Sequence, residues 1–187
     1  MDLAVTLDGY ISGPKGEIDW LVKDDEQDFG DILAEILIGV DAIFYGRVSY
    51  DLWGNYQPDD EASPKLKESY RLLHSKTKYV FSKTMKGDDS STIFINSDIE
   101  ENILSIRQKV RGDIWVYGGA KLIASMMNLD LVDVYRLAIH PVIIGEGIPL
   151  FRDNKNRIQL KLINTEQSKS GVVLLNYETK SSGHASR

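Results

Sequence analysis

The sequence contains no cysteine among its 187 residues. A disulfide framework, a thiolate nucleophile and a cysteine-ligated iron–sulfur cluster are therefore excluded. A cysteine-free chain suits a reducing compartment, and we expect a cytoplasmic protein. The sequence also lacks an apolar run of the roughly 18 residues that cross a bilayer. Because the N-terminus shows no basic-then-apolar signal pattern either, we expect no membrane association.

Basic residues are in the minority. The chain has 22 Lys and Arg against 28 Asp and Glu, which gives a formal net charge of −6. Nucleic-acid-binding surfaces are normally basic, so we expect no nucleic acid partner. His74, His140 and His184 have no acidic residue at metal-ligand spacing, and we predict no metal site. An anionic cofactor is still compatible with this charge, because helix N-termini and a few cations can bind it locally.

Short apolar runs alternate with helical patterns over the first two thirds of the chain. The length and the composition, 42% hydrophobic and 27% charged, suit one compact domain. We therefore predict a single domain over residues 1–180 and a disordered tail over residues 181–187. Two long β-rich runs around Lys169-Ser170-Gly171 predict a terminal antiparallel hairpin. The whole pattern predicts an α/β fold with a mostly parallel sheet.

A glycine pair, Gly118-Gly119, lies between a predicted strand, Asp113–Tyr117, and a predicted helix, Ala120–Asn128. A helix N-terminus offers free N–H groups and a partial positive charge, and glycine lets an anion approach the backbone. Lys121 adds a cation in the first turn. The alternative is a plain tight turn. The pair alone does not decide between the two, because it is not a full dinucleotide-binding motif.

Two further strand ends carry similar chemistry. Gly46 ends a predicted strand, and Arg47 and Ser49 open the next helix, so a helix N-terminus is combined with a cation and a hydroxyl. Ser82 and Lys83 follow another strand and also suit a phosphate. Each segment alone is more simply explained as a surface loop or an ordinary cap. Together they favour an anion site, since the phosphates of a dinucleotide need more than one cradle.

The N-terminal segment "TLDGYISGPKGEIDW" carries the remaining candidates. A strand, an acidic turn and a glycine-rich loop together predict a flexible lid over a pocket. Trp20 either stacks on a planar ring or packs in the core. Asp8 is either a turn residue or a carboxylate of the site.

Six motifs follow one another in order: "AVTLDGYIS", "GEIDW", "DAIFYGRVSYDLW", "IWVYGGAKLI", "HPVIIGEGIPLF" and "SGVVLLNYE". In these motifs the chain resembles the dihydrofolate reductase-like superfamily. More closely, it resembles stand-alone proteins related to the C-terminal reductase domain of the riboflavin-biosynthesis deaminase-reductase, the RibD C-terminal domain family. The resemblance implies a three-layer α/β/α fold around a mostly parallel eight-stranded central sheet. It also implies a homodimer with the C-terminal strands, residues 158–168 and 172–179, as the interface.

The same resemblance implies NADPH as the cofactor. The segment "GRVS" would bind the cofactor phosphates, "FSK" the 2′-phosphate, and "YGGAKLI" the pyrophosphate, with a cis peptide between the two glycines. A tryptophan at position 20 would contact the cofactor as well. The cofactor-binding residues implied in this way are Trp20, Gly46, Arg47, Ser49, Ser82, Lys83, Gly118, Gly119, Ala120, Lys121 and Leu122.

The implied activity is hydride transfer from NADPH to a small planar heterocycle that is pterin-like or pyrimidine-like. Asp8 and Tyr117 are the predicted catalytic residues, as a polar group on the substrate side and a hydrogen-bond donor near the nicotinamide. A narrower alternative is reduction of 5-amino-6-(5-phosphoribosylamino)uracil in riboflavin biosynthesis. Ile18 and Tyr117 stand where the riboflavin-pathway reductases have Ser and Glu, which weakens that alternative. A second alternative is a non-catalytic, nucleotide-binding oligomeric module.

Overall fold

A computed structural model describes residues 1–22, 29–87 and 91–180. The predicted tail, residues 181–187, lies outside these ranges. The strands within them are β1 (Asp2–Thr6), β2 (Tyr10–Ser12), β3 (Val40–Gly46), β4 (Thr77–Phe81), β5 (Thr92–Ile95), β6 (Asp113–Gly118), β7 (Val134–His140), β8 (Ile148–Pro149), β9 (Leu160–Gln167) and β10 (Val173–Thr179). The helices are α1 (Phe29–Ile36), α2 (Arg47–Ser49), α3 (Pro64–His74), α4 (Ile99–Lys109) and α5 (Ala120–Asn128), and a π-helical turn, Tyr50–Gly54, follows α2.

The chain divides into two compact units. Unit 1 consists of residues 1–23 and 123–187, and unit 2 is the continuous segment of residues 24–122. The single domain expected over residues 1–180 stays a prediction. None of the helices in the described ranges has the length and apolar character required to span a bilayer.

Unit 2 is built on a four-stranded parallel sheet in the order β5-β4-β3-β6. Five of the seven residues of β3 are buried, as expected for a central parallel strand. A hydrophobic core cluster packs against this sheet. The side chains of that core are Leu33, Leu37, Val40, Ile43, Tyr45, Tyr50, Tyr70, Leu73, Val80 and Trp115.

Helices α1 and α3 of unit 2 pack at very short range. A Cβ atom at Gly30 in α1 would lie 2.6 Å from the backbone nitrogen of Leu66 in α3. The Ser69 hydroxyl of α3 donates a hydrogen bond to the Gly30 carbonyl at 2.6 Å. The predicted start of α3 is confirmed, because Pro64 is its first residue and Ser63 Oγ accepts the Leu66 N–H at 3.1 Å.

Unit 1 contains a four-stranded sheet in the order β1-β7-β10-β9. β1 pairs with β7 in parallel, whereas β10 is antiparallel to both β7 and β9. The predicted terminal hairpin is therefore confirmed. Strands β2 and β8 form a small antiparallel sheet that the sequence analysis did not predict.

A polar ladder crosses all four strands of the unit 1 sheet. Asp2, Arg136, Asn176 and Asn164 occupy directly opposed positions on β1, β7, β10 and β9. Arg136 Nη1 lies 3.1 Å from Asp2 Oδ2, and Arg136 Nε donates to Asn176 Oδ1 at 3.2 Å. Asn176 Nδ2 donates in turn to Asn164 Oδ1 at 2.7 Å. Because a slip of one residue would break every pair, the ladder fixes the strand register.

The predicted α/β class, with a parallel sheet and added antiparallel strands, is confirmed. The count of eight strands in one central sheet stays a prediction. Within residues 1–22, 29–87 and 91–180, the inter-strand hydrogen bonds form two four-stranded ladders and a two-stranded one.

The Tyr45 hydroxyl lowers the stability of the unit 2 core. The side chain is fully buried, and Tyr45 Oη has no hydrogen-bond partner within the described ranges. Replacing Tyr45 with Phe is expected to leave the free energy of unfolding unchanged or to raise it by about 1 kcal/mol, because an unsatisfied buried hydroxyl is removed. Urea denaturation measures this.

The matched control for that prediction is Tyr50→Phe. Tyr50 Oη accepts a hydrogen bond from Asn55 Nδ2 at 3.1 Å. Loss of this bond is expected to lower the free energy of unfolding by about 1 kcal/mol. If Tyr45→Phe costs more stability than Tyr50→Phe, the interpretation of the Tyr45 hydroxyl as unsatisfied is wrong.

Candidate functional site

The carboxyl ends of β3, β4 and β6 lie level at one edge of the unit 2 sheet. In the register, Gly46 is opposite Phe81, and Tyr45 is opposite Gly118. Ligands of open parallel sheets bind at the carboxyl ends of the strands. The structure therefore brings three predicted segments, "GRVS", "FSK" and "YGGAKLI", to the same edge.

The centre of this edge is a cradle made of Gly46, Ser49, Gly118 and Gly119. A Cβ atom at Gly46 would lie 3.1 Å from the Gly119 nitrogen and 3.4 Å from the Gly118 carbonyl oxygen. A Cβ atom at Gly119 would lie 3.2 Å from Ser49 Oγ. The predicted cis peptide between Gly118 and Gly119 is confirmed. The glycines thus let the backbones at the ends of β3 and β6 approach closely beside the Ser49 hydroxyl, directly before a helix N-terminus that suits a phosphate.

Helix α5 begins directly after the cradle. Ala120, Lys121 and Leu122 form its first turn, where backbone N–H groups have no acceptor within the helix. Lys121 is exposed, whereas the Leu122 side chain is only 6% exposed and belongs to the core. Leu122 is therefore suited to an anion through its backbone and not through its side chain.

Arg47 is the first residue of α2 and lies at the same edge of the sheet, directly after β3. Its guanidinium Nη1 is 2.8 Å from Asp51 Oδ2, and both side chains are largely exposed. Such a surface ion pair is worth about 0–1 kcal/mol. An anionic ligand can therefore replace Asp51 as the partner of the Arg47 guanidinium at a small cost in free energy.

Ser82 and Lys83 differ in their surroundings. Ser82 is buried, and its Oγ accepts the N–H groups of Thr84 and Met85 at 3.3 and 3.0 Å. The hydroxyl of Ser82 therefore shapes the turn after β4, and only its proton is left to donate to a ligand. Lys83 is exposed on that turn. Of this pair, Lys83 is the better candidate for a phosphate contact.

Tyr117 points into the core of unit 2. Its ring lies 4.7 Å from that of Tyr45 and 4.9 Å from that of Trp115, measured between centroids. Burial raises the pKa of the Tyr117 hydroxyl, and Tyr70 adds to this shift. The packing favours a structural role for this side chain. Its predicted catalytic role stays a prediction that the geometry of unit 2 does not support.

Asp8 lies in unit 1 and bonds to a neighbouring loop. Its carboxylate accepts the Gly145 N–H at 2.8 Å and the Ile144 N–H at 3.4 Å. The Thr6 hydroxyl, followed by these two N–H groups, holds the pKa of the Asp8 carboxyl below its usual value. An ionised carboxylate engaged in this way is a poor proton donor at neutral pH. The predicted catalytic role of Asp8 stays a prediction. The contacts favour a structural role, in which the carboxylate holds the loop at Ile144 and Gly145 in place.

Trp20 of unit 1 is half-buried and packs edge-to-face on His140. The ring centroids are 5.4 Å apart at an interplanar angle of 83°. Trp20 Nε1 donates to the Glu17 carbonyl at 3.2 Å, and His140 Nδ1 accepts the Val22 N–H at 3.1 Å. His140 is not among the site residues predicted from the sequence. The one signal for it was its position at a strand end, directly before Pro141.

Within the described ranges, no group of three or more His, Asp or Glu side chains is placed to hold a metal ion. The acidic groove around the start of α4, lined by Asp98, Glu100 and Glu101, contains none of the predicted site residues. The predicted site residues lie at the sheet edge of unit 2 and, with Asp8 and Trp20, in unit 1.

Comparison with known proteins places this architecture in a family. The chain is 51% identical over 177 residues to the uncharacterized protein YyaP of Bacillus subtilis (strain 168), covering 95% of this chain and 92% of that protein. It resembles the crystal structure of a pyrimidine reductase-like protein from Corynebacterium diphtheriae, with a TM-score of 0.65, 18% identity, and coverage of 95% and 90% of the two chains.

A more distant structural relative is the dihydrofolate reductase of Enterococcus faecalis complexed with NADP(H). It has a TM-score of 0.63, 15% identity, and coverage of 95% of this chain and 93% of that chain. At these identities the two structural likenesses show the fold alone. The sequence profile of the RibD C-terminal domain matches residues 1–174. The chain therefore belongs to the RibD C-terminal domain family.

Proposed function

We propose that this protein is an NADPH-dependent reductase of a small planar, pterin-like or pyrimidine-like heterocycle, acting in the cytoplasm. The observation that carries the proposal is the cradle of Gly46, Ser49, Gly118 and Gly119 at the carboxyl edge of the parallel sheet. Its glycines allow a close backbone approach, since a Cβ atom would lie 3.1 to 3.4 Å from the facing atoms, directly before the N-terminus of α5. The relatives named as reductases, one of them complexed with NADP(H), support the same reading.

Different residues at this edge are suited to different phosphate groups of NADPH. The first turn of α5 and the cradle are suited to the pyrophosphate, because free N–H groups and the helix dipole favour an anion. Arg47 and Lys83 are suited to bind further phosphate groups of the cofactor. The Ser49 hydroxyl is suited to donate a hydrogen bond to a phosphate oxygen. When bound, NADPH supplies the hydride. The chain binds and orients it and keeps water from the reacting ring.

The substrate is proposed as a heterocycle without a ribosyl phosphate. At position 117 the side chain is a tyrosine packed against Tyr45 and Trp115, and no acid is available there. Position 18 is an isoleucine, so it offers no hydroxyl. Each missing polar partner removes about 1–3 kcal/mol from a substrate that needs it.

A titration with NADPH followed by a turnover assay tests this function. We expect saturable quenching of tryptophan fluorescence by NADPH, and oxidation of NADPH at 340 nm (a wavelength set by the cofactor) with at least one member of a panel of pterins, pyrimidines and quinones. Absence of NADPH binding would overturn the proposal. Binding without turnover on any heterocycle would favour the non-catalytic module, and preference for 5-amino-6-(5-phosphoribosylamino)uracil would favour the riboflavin-pathway alternative.

We further propose that the protein is a homodimer joined through β9. This strand is at the edge of the unit 1 sheet, and seven of its eight residues are exposed, including Leu162 at 49% and Ile163 at 53%. Long exposed edge strands are normally covered. The register of β9 with β10 skips Ile163, and Lys161 Nζ lies 2.8 Å from Glu178 Oε1 on β10. An antiparallel pairing of two β9 strands about a two-fold axis at this irregularity would bring Lys161 close to Glu166 of the other copy. The edge is thus complementary to itself in charge.

Charge reversal at β9 tests the dimer. Lys161→Glu or Glu166→Lys alone is expected to weaken the dimer on the order of tenfold, because like charges then face each other at two symmetric positions. The double variant restores opposite charges and is expected to recover the affinity. Sedimentation equilibrium measures all three. A monomeric wild-type protein, or a double variant weaker than both single variants, would contradict this interface.

A further inference from the structure

The segment that carries Arg47 and Ser49 is attached to the core of unit 2 by one side chain. Within residues 47–57, a stretch that the structure describes in full, only Tyr50 and Gly54 are buried. Arg47 and Ser49 belong to α2, which contains no buried residue, and Tyr50 begins the π-helical turn that follows it. The position of α2 is therefore set at its two ends, by β3 before Arg47 and by the Tyr50 side chain after Ser49.

The Tyr50 side chain is held by contacts on three sides. Its exposed fraction is 6%, and its ring packs edge-to-face on Tyr45 of β3 and on Phe94 of β5, with centroids 5.9 and 5.7 Å apart. The Tyr50 hydroxyl also accepts a hydrogen bond from Asn55 Nδ2 at 3.1 Å, so the chain after the π-helical turn is tied to the same side chain. A displacement of this ring would therefore disturb all three contacts at once.

Gly54 makes this position of the ring possible. A Cβ atom at Gly54 would overlap Cδ2 of Tyr50 and would lie 2.7 and 2.9 Å from Cε2 and Cγ of the same ring. Because Cγ and Cδ2 are the ring atoms closest to the main chain of Tyr50, a movement of the hydroxyl end does not relieve the overlap. A side chain at Gly54 would therefore displace the whole ring, and glycine permits the close approach.

We propose that Tyr50 and Gly54 are positioning residues that hold the Ser49 hydroxyl beside Gly119 in the cradle. Ser49 directly precedes Tyr50, and its Oγ lies 3.2 Å from the position that a Cβ atom at Gly119 would occupy. A serine hydroxyl turns about one bond only, so it cannot compensate for a shift of the main chain, whereas the long Arg47 side chain can. The role toward NADPH rests on the proposed function, and the placement of Ser49 rests on the contacts of unit 2 alone.

Gly54→Ala tests this role directly. The new methyl group is expected to displace the Tyr50 ring and to raise the Kd for NADPH about fivefold to tenfold, as for loss of one hydrogen bond to a phosphate. Ser69→Ala, which loses a hydrogen bond between α1 and α3, is the control for lowered stability and is expected to keep the Kd within about twofold of the wild type. Isothermal titration calorimetry at a temperature at which both variants are folded measures the affinities. A folded Gly54→Ala protein with wild-type affinity would overturn the proposal.

Two substitutions of Tyr50 separate the ring from its hydroxyl. Tyr50→Leu removes the ring, and we expect its Kd to rise about as much as in Gly54→Ala. Tyr50→Phe keeps the ring and loses only the bond to Asn55, and we expect its Kd to stay within about twofold of the wild type. Equal Kd values for the Leu and Phe variants would contradict a positioning role of the ring. If Gly54→Ala does not fold, Tyr50→Leu replaces it in every measurement.

A double-variant cycle with Ser49→Ala separates positioning from a general loosening of unit 2. If Gly54 acts through the Ser49 hydroxyl, Gly54→Ala is expected to raise the Kd by about twofold or less once residue 49 is alanine. A merely structural role predicts the same increase with and without the Ser49 hydroxyl, and that result would also overturn the proposal.

The amide resonance of Gly119 in the ligand-free protein completes the test. Because Ser49 Oγ lies beside Gly119, we expect this resonance to shift in Gly54→Ala and to keep its wild-type position in Ser69→Ala. An unchanged Gly119 resonance in Gly54→Ala would show that Ser49 has not moved, against the proposal. If the wild type itself fails to bind NADPH, the proposed function fails, and the Gly119 resonance still decides whether Gly54 positions Ser49.

Discussion

Replacement of Gly119 with valine is expected to raise the Kd for NADPH by about 100-fold or more, which corresponds to about 2.7 kcal/mol. A Cβ atom at this position would lie 3.2 Å from Ser49 Oγ. The valine side chain would therefore occupy the space beside Ser49 in which the pyrophosphate is proposed to bind. The hydroxyl of Ser49 can rotate away by the few tenths of an ångström required, so the fold is expected to survive. Isothermal titration calorimetry measures the affinity, and circular dichroism verifies the fold.

Among the three cradle glycines, Gly119 is the one at which a side chain would disturb the backbone least. Gly118 has a φ of +134°, a conformation that side chains rarely adopt, so a substitution there perturbs the turn itself. A side chain at Gly46 would press on the Gly119 nitrogen, which is backbone and cannot rotate away. Only at Gly119 is the nearest atom the end of a small side chain.

Ser49→Ala is the companion variant for the cradle. It removes the hydroxyl that faces Gly119 and is expected to weaken NADPH binding about tenfold, as for one hydrogen bond to a charged phosphate. A folded Gly119→Val protein with wild-type affinity would refute the pyrophosphate site. Comparable losses in both variants would show that the hydroxyl matters as much as the open backbone.

The second large effect is expected in stability. Gly30→Ala is predicted to lower the free energy of unfolding by about 2–3 kcal/mol through overpacking. The new methyl group would lie 2.6 to 2.8 Å from three backbone atoms of Lys65 and Leu66, none of which can move without shifting α3. Alanine in a helix gains about 1 kcal/mol over glycine, so crowding has to exceed this gain and is expected to do so. Urea denaturation followed by tryptophan fluorescence provides the measurement.

Ser69→Ala is the control for Gly30→Ala. It deletes the 2.6 Å hydrogen bond to the Gly30 carbonyl and leaves the helix spacing unchanged. We expect a loss of about 1 kcal/mol. A Gly30→Ala protein that is more stable than Ser69→Ala would mean that α1 and α3 separate more easily than their contacts suggest.

Features that depend on neighbouring residues could be predicted from the sequence. The cap at Ser63-Pro64 and the full extent of α5, Ala120–Asn128, follow from signals within a few residues. The glycine cradle could be predicted in part, because each segment has a local signature and parallel strands share one carboxyl edge. The close approach of Gly46 to Gly119 could not, because it depends on the register of β3 and β6.

Other features depend on partners far along the chain. Strand β2 has three residues and exists because Tyr10 and Ser12 pair with Pro149 and Ile148. The Val22 contact of His140 spans 118 positions, so no spacing rule could find it. The role of Tyr117 as a hydrogen-bond donor near the nicotinamide stays a prediction, and alternation along β6 places its ring on the same face as Trp115. A strand sequence alone does not say which of its two faces meets the core.

The division of the chain into a continuous unit 2 and an interrupted unit 1 also sets an order of events during synthesis. Residues 24–122 can complete their parallel sheet once they have left the ribosome. Strand β1 is made first, but Asp2 has to wait for Arg136 of β7 before it can pair. At typical translation rates this delay is on the order of ten seconds. During that time Val5 and Thr6, which are buried in the folded protein, lack their partners Ile139 and His140 on β7.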